Sequence, residues 1–257
     1  MVPTVIVRPP SPRLAEGLVT HIDRRPVDVD LAARQWTDYV RTLADHGWNV
    51  AYAPPADDCP DSVFVEDTVV MFRGTAIVTR PGAPERRPEI DSMVDTIRAL
   101  DLPFRHVEPP GHLDGGDVLK IGDTLYVGRS RRTDDLGVAS LARIVDELGG
   151  RTVVVPVSKV LHLKSAVTAL PDGTAIGFDP VVDDPRAFPR YRSVSEESGA
   201  HVVALDGHTV LMAASAPLTA EEFRRDGWRV IQVDISEFEK LEGCVTCLSV
   251  RVGVATD

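Results

Sequence analysis

TVVMFRGTAIVTR (68–80) reads as a strand, a turn at Gly74 and a second strand. A helical stretch follows at about 88–100, and then a third strand, PFRHVE (103–108). The same order returns. DVLKIGDTLYVGR (117–129) is a hairpin turning at Gly122 and Asp123, followed by a helix at 134–148 and the strand RTVVVPV. AVTALPDGTAIGF (166–178) and HVVALDGHTVLMA (201–213) are further hairpins, and a helix at 219–226 precedes WRVIQV. LPDGTAIGF (170–178) matches FRGTAIVTR (72–80), and HGWNVAYAPP (46–55) matches DGWRVIQVDI (226–235). The period is near 45–50 residues, with a shorter fourth unit that lacks a clear long helix. A repeated supersecondary unit decides the fold.

At the N-terminus, VPTVIV (2–7) is a short β-branched run stopped by Pro9, Pro10 and Pro12. Residues 30–46 carry Leu31, Trp36, Tyr39, Val40 and Leu43 at helical spacing, with Asp28 or Asp30 as the cap and Gly47 as the stop. CLSVRV lies at the other end of the chain. Together the two ends complete one more unit. The expected fold is therefore α/β: a five-fold pseudo-symmetric α/β propeller of ββαβ units with a central cleft, one domain over residues 1–257. An ordinary α/β sandwich with coincidental internal similarity is the competing architecture.

A net charge of −11 argues against sequence-independent binding to nucleic acid or to an anionic membrane, both of which need a basic surface. It agrees with a cationic ligand. The hydrophobic fraction of 43% and charged fraction of 26% are those of a globular protein. No stretch is long and apolar enough to span a bilayer, and no signal peptide is seen. Three cysteines do not make a disulfide framework, so a reduced, cytoplasmic protein is expected, with a homodimer left open.

The repeat also organises the reactive residues. The position before each hairpin's first strand holds Glu66 and Asp67 in unit one, Asp114 in unit two and His162 in unit three. Units four and five hold His201 and Cys247 there. In a ring, equivalent positions converge on the axis, so a cleft with two carboxylates, an imidazole and a thiol is expected. Each residue has a plainer reading. Cys247 could be a small buried hydrophobe, His162 a core histidine, and Glu66 a structural partner, while His201 is more readily a core residue. Cys244 and Cys247 also form CxxC, a redox or zinc pattern, although zinc needs further ligands. The chain has no GxGxxG or GxxxxGK[ST], which leaves nucleotide binding unsupported.

At PDSVFVEDTVV (60–70), IVTRPGAPERR (77–87), LDGGDVL (113–119), SRRT (130–133), LHLKS (161–165) and TCLSV (246–250) the chain resembles dimethylarginine dimethylaminohydrolases. These belong to the superfamily that modifies guanidino groups, with the arginine deiminases and amidinotransferases. The resemblance runs from about Leu18 to Val250 and implies the five-bladed propeller. It implies Cys247 as nucleophile, His162 as general acid and base, and Asp114 in the place of the third catalytic residue, which is Glu in some relatives. Asp67 resembles the carboxylate that grips the guanidinium, with Glu66 beside it in the substrate-binding set. Asp61, Arg86 and Arg132 resemble the residues that hold the amino-acid end. Leu18 and Leu241 resemble contacts at the mouth. The implied reaction converts asymmetric dimethylarginine or monomethylarginine to citrulline and an amine through a covalent thiouronium, with no cofactor and no metal. The alternatives are an arginine deiminase-like hydrolase and a CxxC redox or zinc protein. The helical insertion usual in arginine deiminases is not found.

Overall fold

The computed structural model describes residues 3–253. Val2, the outer end of the N-terminal run, lies outside them. Five three-stranded sheets are present among these residues, each a blade. In the first, β3 (Val69–Phe72) pairs antiparallel with β4 (Thr75–Val78), and β4 pairs parallel with β5 (Phe104–His106) across helix α2 (Glu89–Ala99). The second repeats this with β6 (Val118–Ile121), β7 (Thr124–Arg129), α3 (Asp135–Glu147) and β8 (Arg151–Pro156). The third uses β9 (Val167–Ala169), β10 (Ala175–Gly177) and β11 (Tyr191–Ser193). The fourth uses β12 (Val202–Ala204), β13 (Thr209–Ala213), α4 (Pro217–Arg225) and β14 (Arg229–Val233). α5 (Ser236–Glu239) is one turn on the way to the tail.

The fifth blade joins the two ends of the chain. β1 (Thr4–Val7) pairs antiparallel with β15 (Val250–Val252) and parallel with β2 (Asn49–Tyr52), across α1 (Val29–Asp45). The ring closes as the repeat requires, and the sandwich is set aside. Asp28 is the cap of α1, its side chain accepting from the Leu31 N–H at 2.9 Å. The matched GW pairs are equivalent in space: Gly47 and Gly227 follow α1 and α4 with φ of +85° and +96°, a left-handed turn that glycine takes without penalty.

The blade without a helix is the third, not the fourth. α4 provides the fourth with nine residues of helix. Between β10 and β11 stand Pro180, Pro185 and Pro189, and only short 3-10 turns form there. Aromatic rings take the place of the missing helix: Phe188 lies 4.9 Å from Tyr126 and 6.3 Å from Tyr191, centroid to centroid. The apolar core is divided accordingly into five clusters, each within or beside a blade. The innermost strands β3, β6, β9, β12 and β15 leave an axial cavity of about 440 Å³ between them.

Candidate active site

A short turn precedes the innermost strand of each blade and delivers its reactive residue to the axis. Asp67 lies in the 3-10 turn Val65–Thr68, and Asp114 and His162 immediately precede the turns Gly115–Asp117 and Leu163–Ser165. The Glu66 N–H donates to the Cys247 carbonyl at 3.2 Å, tying the first blade to the fifth. The two glycines after Asp114 serve close approach. A Cβ on Gly115 would stand 2.0 Å from the Glu66 carbonyl oxygen. One on Gly116 would stand 2.6 Å from His162 Nδ1 and 2.7 Å from Asp67 Oδ1. Gly116 N–H also donates to Asp67 Oδ1 at 2.8 Å.

His162 Nε2 lies 3.0 Å from Asp114 Oδ2, and Nδ1 lies 3.8 Å from Asp67 Oδ1. Burial alone would make the imidazole harder to protonate. The charges of Asp67, Asp114 and Asp117 outweigh it and lift His162 to about 9. Asp67 is the reciprocal case: burial opposes its ionisation, but His162 and Arg86 hold it down at about 2. Asp114 is fixed from behind, Oδ1 accepting from the Gly82 N–H at 2.8 Å and its own N–H donating to Thr133 Oγ1 at 3.2 Å.

Cys247 follows a hydrogen-bonded turn in which its N–H donates to the Cys244 carbonyl at 3.1 Å. Tyr39 donates to the Val245 carbonyl at 2.8 Å and fixes that turn against α1. The Cys247 thiol is pushed well up, by its hydrogen bond with Cys244, by burial, and by the nearby negative groups Cys244, Glu66 and Asp67. It stays protonated until positive charge arrives.

One small cleft is lined by Cys247, His162, Asp67, Asp61, Arg86, Arg132, Leu18 and Leu241, with Asp114 behind His162. Its free volume is about 20 Å³, room for little more than a water molecule. The segment after Gly17 closes over it. Leu18 N–H donates to both Asp61 oxygens at 3.1 Å, and Thr20 and His21 N–H donate to the Glu242 carboxylate.

One expectation needs correction. Glu66 does not face this cleft. Its carboxylate turns to the axial cavity, where it meets Lys164 Nζ at 2.7 Å and accepts from Thr246 Oγ1 at 2.8 Å. Adjacent residues of a tight turn point to opposite sides, and only Asp67 points inward. Arg86 lines the cleft, as expected, and is already bonded there. It is ion-paired with Asp67, forks onto Glu89 at 2.9 and 2.8 Å, and donates to the Asp61 and Phe64 carbonyls. His201 stays outside the cleft, its Nε2 2.9 Å from the Ser165 carbonyl.

Several supporting residues carry no motif of their own in the sequence. Glu89 is the counter-charge of Arg86. Asp117, fully buried, accepts from Ser130 Oγ at 2.6 Å, Thr133 Oγ1 at 2.7 Å and Leu163 N–H at 2.9 Å, so it braces the backbone on both sides of the His162–Asp114 pair. Burial raises its carboxyl to about 6. The last residue of GGD and the polar ends of SRRT carried that signal. Among the described residues no further His, Asp or Glu joins the CxxC pair at metal-ligand distance; the cluster with that spacing is Asp67, Asp114 and His162.

Fold and cleft together define the class: a five-bladed α/β propeller of the superfamily that modifies guanidino groups. No family model matches the chain. It is 61% identical over 247 residues to the N(G),N(G)-dimethylarginine dimethylaminohydrolase of Streptomyces coelicolor, covering 96% of each chain. A citrulline complex of a cysteine-to-serine variant of the Pseudomonas aeruginosa enzyme superposes with a TM-score of 0.90, at 34% identity, over 98% of this chain and 99% of that one. A dimethylarginine dimethylaminohydrolase adduct with S-methyl-L-thiocitrulline gives 0.91 at 33% identity, over 98% and 100%. The chain belongs to the dimethylarginine dimethylaminohydrolase family.

Proposed function

We propose that this protein hydrolyses free N-omega-methylated arginine to citrulline and methylamine or dimethylamine, with Cys247 as nucleophile. One observation carries the reading: a thiol, an imidazole bonded to a carboxylate, and a second carboxylate line a single cleft at the axis. The electrophile is a cation, and burying it without partners would be prohibitive. Asp67 retains acceptor capacity towards the cleft beyond Arg86 and Gly116, and it orients the guanidinium carbon towards Cys247. The arriving positive charge offsets the negative groups that hold the thiol protonated, the thiol proton leaves to solvent, and the thiolate forms.

Cys247 then attacks the guanidinium carbon. His162, still protonated near neutral pH, gives its proton to the departing amine, which leaves a thiouronium on Cys247. The imidazole is now neutral and held by Asp114. It takes a proton from water as the water attacks, the thiolate leaves, and citrulline is released. Asp114 is one methylene shorter than glutamate. Its bonds to Gly82 and Thr133 set it at 3.0 Å from His162 all the same. At the mouth, Asp61 with the Leu18 backbone suits the substrate α-amine. Arg132, with fewer commitments than Arg86, suits the α-carboxylate. The three free, buried thiols fit a reducing cytoplasm.

The test is citrulline formation from asymmetric dimethylarginine, monomethylarginine, arginine and agmatine, side by side. Turnover of the two methylated amino acids is expected, with agmatine inert for want of a carboxylate. Arginine as the preferred substrate would replace this reading with a deiminase, and no citrulline from any of the four would leave a binding protein.

A further inference from the structure

Cys244 forms no bond to substrate in the reaction above. It is buried and does not line the cleft, whereas Cys247 does. Yet the two sulfurs stand 3.3 Å apart. The backbone accounts for this: the hydrogen-bonded turn from Cys244 to Cys247 brings its ends within about 7 Å, Cα to Cα, which overlaps the roughly 4.4–6.8 Å that a disulfide spans. Closing the bond to about 2.05 Å needs only rotation of two side chains that already converge. Tyr39 holds the turn through the Val245 carbonyl, so the ends are fixed whether or not the sulfurs are joined. The third cysteine, Cys59, lies beside Arg8 and Glu89, outside this turn. The cleft through which Cys247 is reached has about 20 Å³ of free volume, which admits only a very small reagent.

We propose that Cys244 is the resolving partner of Cys247, and that a small hydroperoxide converts the pair to a disulfide that switches the hydrolase off reversibly. Cys247 passes its proton to Cys244 across their 3.3 Å contact and attacks a peroxide oxygen as the thiolate; the O–O bond breaks, and with one proton from solvent a sulfenic acid and one water form when the oxidant is hydrogen peroxide. Cys244 attacks the Cys247 sulfur, the S–O bond breaks, and a second water leaves with the disulfide in place. The two thiols lose two electrons and the peroxide gains them. The nucleophile is then unavailable to substrate but is spared irreversible oxidation to sulfinic acid. A dithiol restores it by exchange.

The experiment treats the reduced full chain with hydrogen peroxide. It follows intact mass, free-thiol count and citrulline formation, before and after dithiothreitol. The expected result is loss of two of three thiols, a mass lower by two hydrogens, and activity lost and then recovered. Cys244→Ser, compared with its own untreated activity, should gain oxygen on Cys247 and fail to recover. Cys59→Ser should behave as the parent does. Addition of oxygen to the parent instead of loss of hydrogen would overturn the proposal, as would full recovery of Cys244→Ser. The inference uses the hydrolase reading for its consequence, but mass and thiol count register the bond without any turnover, so the two can fail separately.

Discussion

Two cavities lie on opposite sides of the turns at the propeller axis, lined by neighbouring residues of those turns. Asp67, His162 and Cys247 face the cleft; Glu66, Lys164 and Thr246 face the axial cavity. The axial cavity is the larger by far, about 440 Å³ against about 20 Å³. Size therefore misidentifies the chemistry here. In the axial cavity Glu66 is neutralised by Lys164, and its burial raises it. In the cleft Asp67 is driven down to about 2 and His162 up to about 9, against a thiol pushed up in turn. Groups whose environments drive their ionisation apart mark the side where protons move.

The sharpest test compares adjacent residues. Cys247→Ser should reduce citrulline formation to background with the fold intact by circular dichroism, while Thr246→Val, one residue away on the other side, should retain most turnover. Equal losses would end the division into two sides. His162→Gln follows, with turnover expected to fall by about 10²–10⁴-fold, the range for a general acid and base. The same residue sets a pH limb. Parent turnover should decline above about 9, where the imidazolium is lost. Its stability contribution has the same sign. With a folded value near 9 above the ordinary 6.5, it is fully present below 6.5 and lost as pH rises through 9. The Tm difference between parent and His162→Gln should shrink over that window.

Gly116→Ala tests whether the two glycines serve approach rather than turning. The added methyl would collide with both His162 and Asp67, and a displacement near 1 Å costs about 10²-fold. Retained activity would show that the cleft tolerates loosening. Glu66→Gln acts on the far side: it uncouples Lys164 and should cost about 1–3 kcal/mol in stability, with kcat changed only a few-fold.

Much of this was legible in the sequence, and the parts that were not share a cause. Periodicity and turn chemistry are local, so the hairpins, the GW pairs and the ring closed by both chain ends could be read. Positions 67, 114, 162 and 247 followed from symmetry. Symmetry places a turn but not the direction of each side chain within it, which is why Glu66 was grouped with Asp67. Ion-pair partners are equally hidden. Arg86 bonds to Glu89 across the boundary between a short turn and the start of α2, and nothing in the spacing says that its fork is already filled. The missing helix could have been placed correctly, because three prolines between 180 and 189 forbid it.

The smallest effect concerns the segment that shuts the cleft. Glu242 sits in a left-handed backbone turn with φ of +62°, next to Leu241, and its carboxylate accepts from the Thr20 and His21 N–H groups. These bonds, together with Leu18 on Asp61, are what close a cleft too small for a methylated arginine. Substrate entry must break some of them, so opening is a local event well below global unfolding in cost. Glu242→Ala removes the latch and leaves Asp61 in place. Amide exchange at Thr20 and His21 should accelerate while exchange in β3 and β6 is unchanged. Association of substrate should quicken, with kcat held by the unaltered cysteine and histidine. If exchange at those two amides is the same in the variant, the segment is held by Asp61 alone, and the cleft opens at Leu18.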